Sequence, residues 1–129
     1  MLNKFMKNKK GFTLIELVVV VAILGVLALL IVPNVTNRIS EAKEAVLEAN
    51  IKVINNAIKL YYAMEGNYPT LKKTDDDGKL GEIIEVLQAG KYLDAEEAER
   101  ATEALEGKVS VKEDKDSNKN VIALYLVKK

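Results

Sequence analysis

From Phe12 to Val32 the chain is apolar almost without interruption, and Glu16 is the one ionisable side chain in that run of 21 residues. As a helix the run is about 31 Å long, which matches the hydrocarbon core of a bilayer. An ionised carboxylate in such a segment costs on the order of 3 kcal/mol, so it calls for a partner. No Lys or Arg lies between Phe12 and Arg38, so no nearby side chain supplies the cation. If the chain were cut after Gly11, Phe12 would carry a free ammonium at the mouth of the same helix.

Lys4, Lys7, Lys9 and Lys10 precede the run. The positive-inside rule then keeps the N-terminus cytoplasmic and exports the remainder of the chain. The whole chain has 19 basic and 19 acidic residues in 129. Removal of residues 1–11 takes away four lysines and no acid, leaving 15 against 19 and a net charge of −4. That balance does not suggest a general nucleic-acid binder. The apolar run comes after the basic stretch and the glycine, the reverse of a cleaved secretory signal, whose apolar region is lost.

Gly11-Phe12-Thr13-Leu14-Ile15-Glu16, with a basic leader before it and an apolar helix behind, closely resembles the prepilin processing motif of type IV pilins and type II secretion pseudopilins. The resemblance is strong over residues 7–35, diffuse to about Pro69 and weak beyond. It implies that a prepilin peptidase cuts between Gly11 and Phe12 and methylates the new N-terminus, making Phe12 an N-methylphenylalanine. It also maps the assembly glutamate onto Glu16, which would pair with the N-terminal ammonium of an adjacent subunit. Gly25 and Pro33 match the glycine and proline where the family's helix unwinds on packing into a filament. A bend near Pro33 is expected on physical grounds as well, because proline removes a backbone donor and crowds the preceding turn.

Beyond the span, Val35, Ile39, Ala42, Val46, Ala49, Val53, Ala57, Leu60 and Met64 recur every three or four residues. This is the mark of a helix with one buried face. Leu47, Ile51, Ile54, Ile58 and Tyr62 widen it, while Glu41, Glu44, Glu48, Lys52 and Lys59 remain for solvent. The face is expected to meet a domain core, with contact to other subunits as the alternative. Gly66 is expected to cap the helix in a left-handed conformation, and Pro69 prevents its continuation. Asp75 to Gly78 reads as an exposed turn, and Leu80 to Ala89 as a short helix stopped at Gly90. Asp94 can cap another helix running through Ala104 to Gly107. Val109 to Val111 and Val121 to Val127 read as strands joined by a polar turn from Asp114 to Asn120. The fold class is therefore α+β and pilin-like, a long N-terminal helix against short helices and a β-hairpin. The divisions are 1–11 leader, 12–33 transmembrane or filament-core helix, 34–65 amphipathic half, and 66–129 small exported region.

The chain has no His and no Cys, and only three serines, so triad and zinc chemistry lack their parts. It has no glycine-rich phosphate loop. No disulfide can staple the exported region, a departure from many pilins. No enzyme is expected. Calcium is the one cofactor left open, near Asp114 and Asp116. That segment lacks the glycine and terminal glutamate of an EF-hand, and aligning Gly78 at position six puts Lys73 first and Ile84 twelfth.

The expected function is that of a structural subunit of a type IV pilus-like filament, inserted as a single-pass precursor, cleaved, methylated and polymerised into an extracellular or periplasmic fibre. Its expected partners are copies of itself, a prepilin peptidase, an inner-membrane assembly platform and minor pilins. Nucleic acid enters only if the pilus takes up DNA. The alternative is a pseudopilin of type II secretion or of a competence system. Tyr68-Pro69-Thr70 leans that way, the missing recognisable calcium loop leans against the major secretion type, and Glu16 argues for a core subunit rather than a tip. Less favoured is a signal-anchored binding protein that never polymerises.

Overall fold

The computed structural model describes residues 11–129. The elements in chain order are α1 (Leu14–Glu65), α2 (Asp76–Ala89), α3 (Ala95–Leu105), β1 (Val109–Lys115) and β2 (Val121–Lys128). This is the expected α+β arrangement. The leader's Lys4, Lys7, Lys9 and Lys10 lie outside the described residues. The chain divides within α1 into two units, one ending at Glu41 and one from Ala42 to Lys129.

In the first unit every described residue is exposed. Among the described residues this is the one helix long and apolar enough to cross a membrane. α1 passes through Gly25 and Pro33 as continuous helix. Pro33 has no N–H to offer the Leu29 carbonyl. Three residues on, the Thr36 hydroxyl donates to the carbonyls of Val32 (3.3 Å) and Pro33 (3.0 Å).

In the second unit α1 ends where expected, with Gly66 at φ +77° and its N–H donating to the Tyr62 carbonyl (2.9 Å). Tyr68 then folds back to stack on Tyr62, ring centroids 4.4 Å apart. The Glu82 carboxylate accepts from the N–H groups of Lys72 and Lys73 and tethers the connecting loop to α2.

The aspartate run is not an exposed turn. Asp75 is the N-cap of α2, its carboxylate accepting from the Gly78 N–H (2.7 Å), and Asp76 and Asp77 occupy the first helical turn. Negative charge is favourable there, against the unpaired N–H groups and the helix dipole. α2 therefore starts at Asp76 rather than Leu80. It stops at Gly90, but the left-handed residue is Lys91 (φ +62°). The Lys91 N–H donates to the Gln88 carbonyl and the Tyr92 N–H to the Leu87 carbonyl, the two bonds of a Schellman motif. Gly90 is small for another reason: a Cβ there would lie 2.6 Å from the Tyr92 ring. Lys91→Gly is expected to raise stability by about 0.5–1 kcal/mol, because only glycine enters the left-handed region freely. The midpoint of urea unfolding measures it. α3 begins at the expected cap, where Asp94 and Glu97 form a reciprocal capping box.

β1 continues past Val111 to Lys115 and pairs antiparallel with β2, with a register shift at Asp114/Lys115. The connecting turn is shorter than Asp114 to Asn120, because Lys112 to Asp114 find partners in Tyr125 to Ala123. A two-stranded sheet is marginal alone and leaves two open edges. In an antiparallel pair, opposed residues alternately bond each other or turn their polar groups outward. Val111 opposes Leu126, and this pair turns outward. The Asn55 side chain on α1 takes both the N–H (2.8 Å) and the carbonyl (3.1 Å) of Leu126. Asp76 on α2 takes the N–H of Val111 (3.0 Å) and the Ser110 hydroxyl. Both edges are thus closed at one level by helix side chains.

The bond from Val111 holds the Asp76 carboxyl below its usual value, against the opposing effect of burial, with Ser110 and Lys129 adding to it. A depressed folded-state pKa stabilises in full above the unfolded value, about 3.9, and is lost as pH falls through the folded one. Stability is therefore expected to decline below about pH 4. Asp76→Asn should flatten part of that slope in urea midpoints measured across the range.

The core of this unit joins Ile54, Ala57 and Ile58 of α1 to Leu80, Ile83, Ile84 and Leu87 of α2. Leu93, Ala98, Ala101 and Leu105 close it on one side, and Val109, Val111, Leu124 and Leu126 on the other. Leu47, Ile51 and Tyr61 pack on its margin. This corrects the expected centre of the buried face. Val46, Val53, Leu60 and Met64 are exposed, Leu60 by 52% and Met64 by 71%. The buried arc is the one expected only to widen that face, because the sheet and α2 approach α1 where Asn55 meets Leu126. Of the residues expected at its centre, Ala57 is buried. Tyr62, expected to widen the face, is 45% exposed.

Candidate functional site

At the expected processing junction Gly11, Phe12 and Thr13 precede the helix, which opens at Leu14. Phe12 is 92% exposed. A Cβ placed on Gly11 would meet nothing within 4 Å, so this chain makes no internal use of that residue's smallness among the described residues. The same holds for Gly25. A requirement for glycine at either place therefore comes from whatever approaches the backbone from outside.

Glu16 is not a bare carboxylate. Its Oε2 accepts from the Thr13 N–H (3.1 Å), and its own N–H donates to the Thr13 Oγ1 (3.3 Å). These two bonds are a capping box, in which cap and third helical residue satisfy one another's free donors. The side chain also lies in the first turn, where the helix dipole favours an anion. The cost of carrying a carboxylate into the apolar segment is thereby reduced before any neighbour arrives. Thr13 is the site residue that reading for charge passes over. The signal is present as the Thr-x-x-Glu spacing ahead of an apolar run.

The structure keeps Gly11, Phe12 and Glu16 within one exposed helix entrance. Gly25 and Pro33 lie farther along the same helix and in helical conformation. Near Asp114 and Asp116 the geometry favours turn closure. Asp116 Oδ1 accepts from the N–H groups of Asn118 (2.9 Å) and Asn120 (2.8 Å), and Oδ2 accepts from the Asn120 amide. The Asn120 N–H foremost lowers the Asp116 pKa. Calcium at this turn would have to displace those donors. Among the described residues no group of three or more Asp or Glu is placed to hold a metal ion.

The family described as the prokaryotic N-terminal methylation motif matches residues 6–32. The chain is 43% identical over 67 residues to the type II secretion system core protein G of Pseudomonas aeruginosa, covering 52% of this chain and 47% of that one. It is 36% identical over 67 residues to the protein of the same name from Aeromonas hydrophila, with the same coverage. Similarity to the type IV major pilin protein PilA of Myxococcus xanthus is 35% over 66 residues, covering 51% of this chain and 30% of that one. The chain thus spans about half the length of the secretion relatives it matches, and less of the pilin. No solved structure matches it significantly.

Proposed function

We propose that the chain is a structural subunit of a type IV pilus-like filament, held in the membrane as a precursor, cleaved after Gly11, methylated at Phe12 and polymerised. The methylation motif over residues 6–32 carries this reading, because the junction it marks is the exposed, non-helical entrance of a bilayer-length helix. The lysines of the leader would keep the N-terminus cytoplasmic and place the remainder outside. Within the second unit the exposed Val46, Val53, Leu60 and Met64 offer an apolar face to neighbouring subunits.

Cleavage would turn the Phe12 amide into an ammonium. Pairing with Glu16 of an adjacent subunit would then recover a desolvation cost only at the correct stagger. Unwinding between Gly25 and Pro33 would accompany packing in the fibre. The fibre's partners would be a prepilin peptidase, an assembly platform and minor pilins. Co-expression with such a peptidase, followed by intact mass measurement, tests the proposal. The mature chain should lack residues 1–11 and carry one added methyl group on Phe12. An uncut or unmethylated chain would favour the simple signal-anchored binding protein.

A second reading is supported by the similarity to core protein G: a pseudopilin of type II secretion or DNA uptake. Both readings share the same junction chemistry. Restoring secretion in a strain that lacks its own core subunit would favour the second.

A further inference from the structure

We infer that Thr13 is a positioning residue for processing: its capping bond ends the helix at Leu14 and leaves the Gly11–Phe12 peptide outside the helix, open to hydrolysis. The inference rests on the reading of the chain as a peptidase substrate. Hydrolysis adds one water across that amide, giving a Gly11 carboxylate and a Phe12 ammonium. For this the peptidase must reach the Gly11 carbonyl from the side. A helix running back through Phe12 would wrap that carbonyl in a turn and engage it with an N–H four residues on.

An N-cap residue has non-helical backbone angles, and its side-chain oxygen takes the N–H that a further turn would have used. Thr13 does this through the bond between its Oγ1 and the Glu16 N–H (3.3 Å). Residues 11–13 are accordingly non-helical, and Phe12 is 92% exposed. The bond uses the backbone of residue 16, so it does not depend on the glutamate side chain. Thr13 therefore acts on cutting, and Glu16 on assembly.

The test is a cleavage assay on full-length precursor in detergent with purified prepilin peptidase, comparing the unaltered chain with Thr13→Val and Thr13→Ser. Valine keeps the shape and β-branching and removes only the hydroxyl. Because it lowers the population of the non-helical junction, kcat/KM should fall about fivefold, mainly through a higher KM. Serine should restore most of the loss. Equal kcat/KM for the valine variant and the unaltered chain would overturn the role of Thr13 while leaving the processing reading intact. A serine variant as slow as valine would overturn it too. If the unaltered chain is not cut, the processing reading fails and this inference with it.

Discussion

Glu16→Ala is expected to insert and be cleaved like the unaltered chain, yet to give at least tenfold less filament. Cleavage should survive because the Thr13 hydroxyl still caps the N–H of residue 16. Insertion should if anything improve, since a group costing on the order of 3 kcal/mol in hydrocarbon is gone. Assembly suffers from the other side of the same change. Each incoming Phe12 ammonium would enter an apolar core with no carboxylate to meet it, and an unpaired buried charge costs about 3–5 kcal/mol. Filament recovered by shearing, normalised to mature subunit, measures the effect. Normal yield would remove Glu16 from assembly and leave it a capping residue only.

Ile58→Ala and Leu60→Ala are expected to part company, although the two residues are neighbours on α1. Ile58 is fully buried, and its truncation should cost about 2–5 kcal/mol, the transfer term plus the cavity left among α2 and the sheet. Leu60 is half exposed, so its truncation should change subunit stability by no more than about 0.5 kcal/mol. Filament yield should respond in the opposite sense, falling in the Leu60 variant while its subunit remains folded. All five tyrosines lie in the second unit, so their near-ultraviolet signal in urea titrations of micelle-held chain reports this unit's unfolding. Equal destabilisation by the two changes would mean that the exposed face is part of the fold.

The two faces of α1 show where reading by periodicity stops. Apolar residues recur around much of this helix, so a spacing of three and four describes more than one stripe. Val46, Val53 and Leu60 make one stripe; Leu47, Ile54, Ile58 and Tyr61 make another. Which one the domain covers depends on where the hairpin docks. That docking is held by Asn55 and Leu126, 71 residues apart. The aspartates before Gly78 mislead for a related reason. Asp-Asp-Asp-Gly is good turn chemistry in isolation, but Asp76 has bonds waiting at Ser110 and Val111. Capping at Asp94, by contrast, is settled within three residues, and it is legible.

The sequence by itself determined the features whose physics is local: the bilayer-length span, the cap at Asp94, the left-handed stop at Gly66 and the existence of both strands. Each depends on residues within a turn or two of one another, or on composition over one continuous stretch. Only the tertiary structure decided which face of α1 is buried, where α2 begins and how the two edges of the sheet are closed. Those outcomes depend on groups brought together across 34 to 71 positions. Glu16 stands between the two cases. Its capping bond to Thr13 is written in the spacing, and the geometry shows that the bond forms.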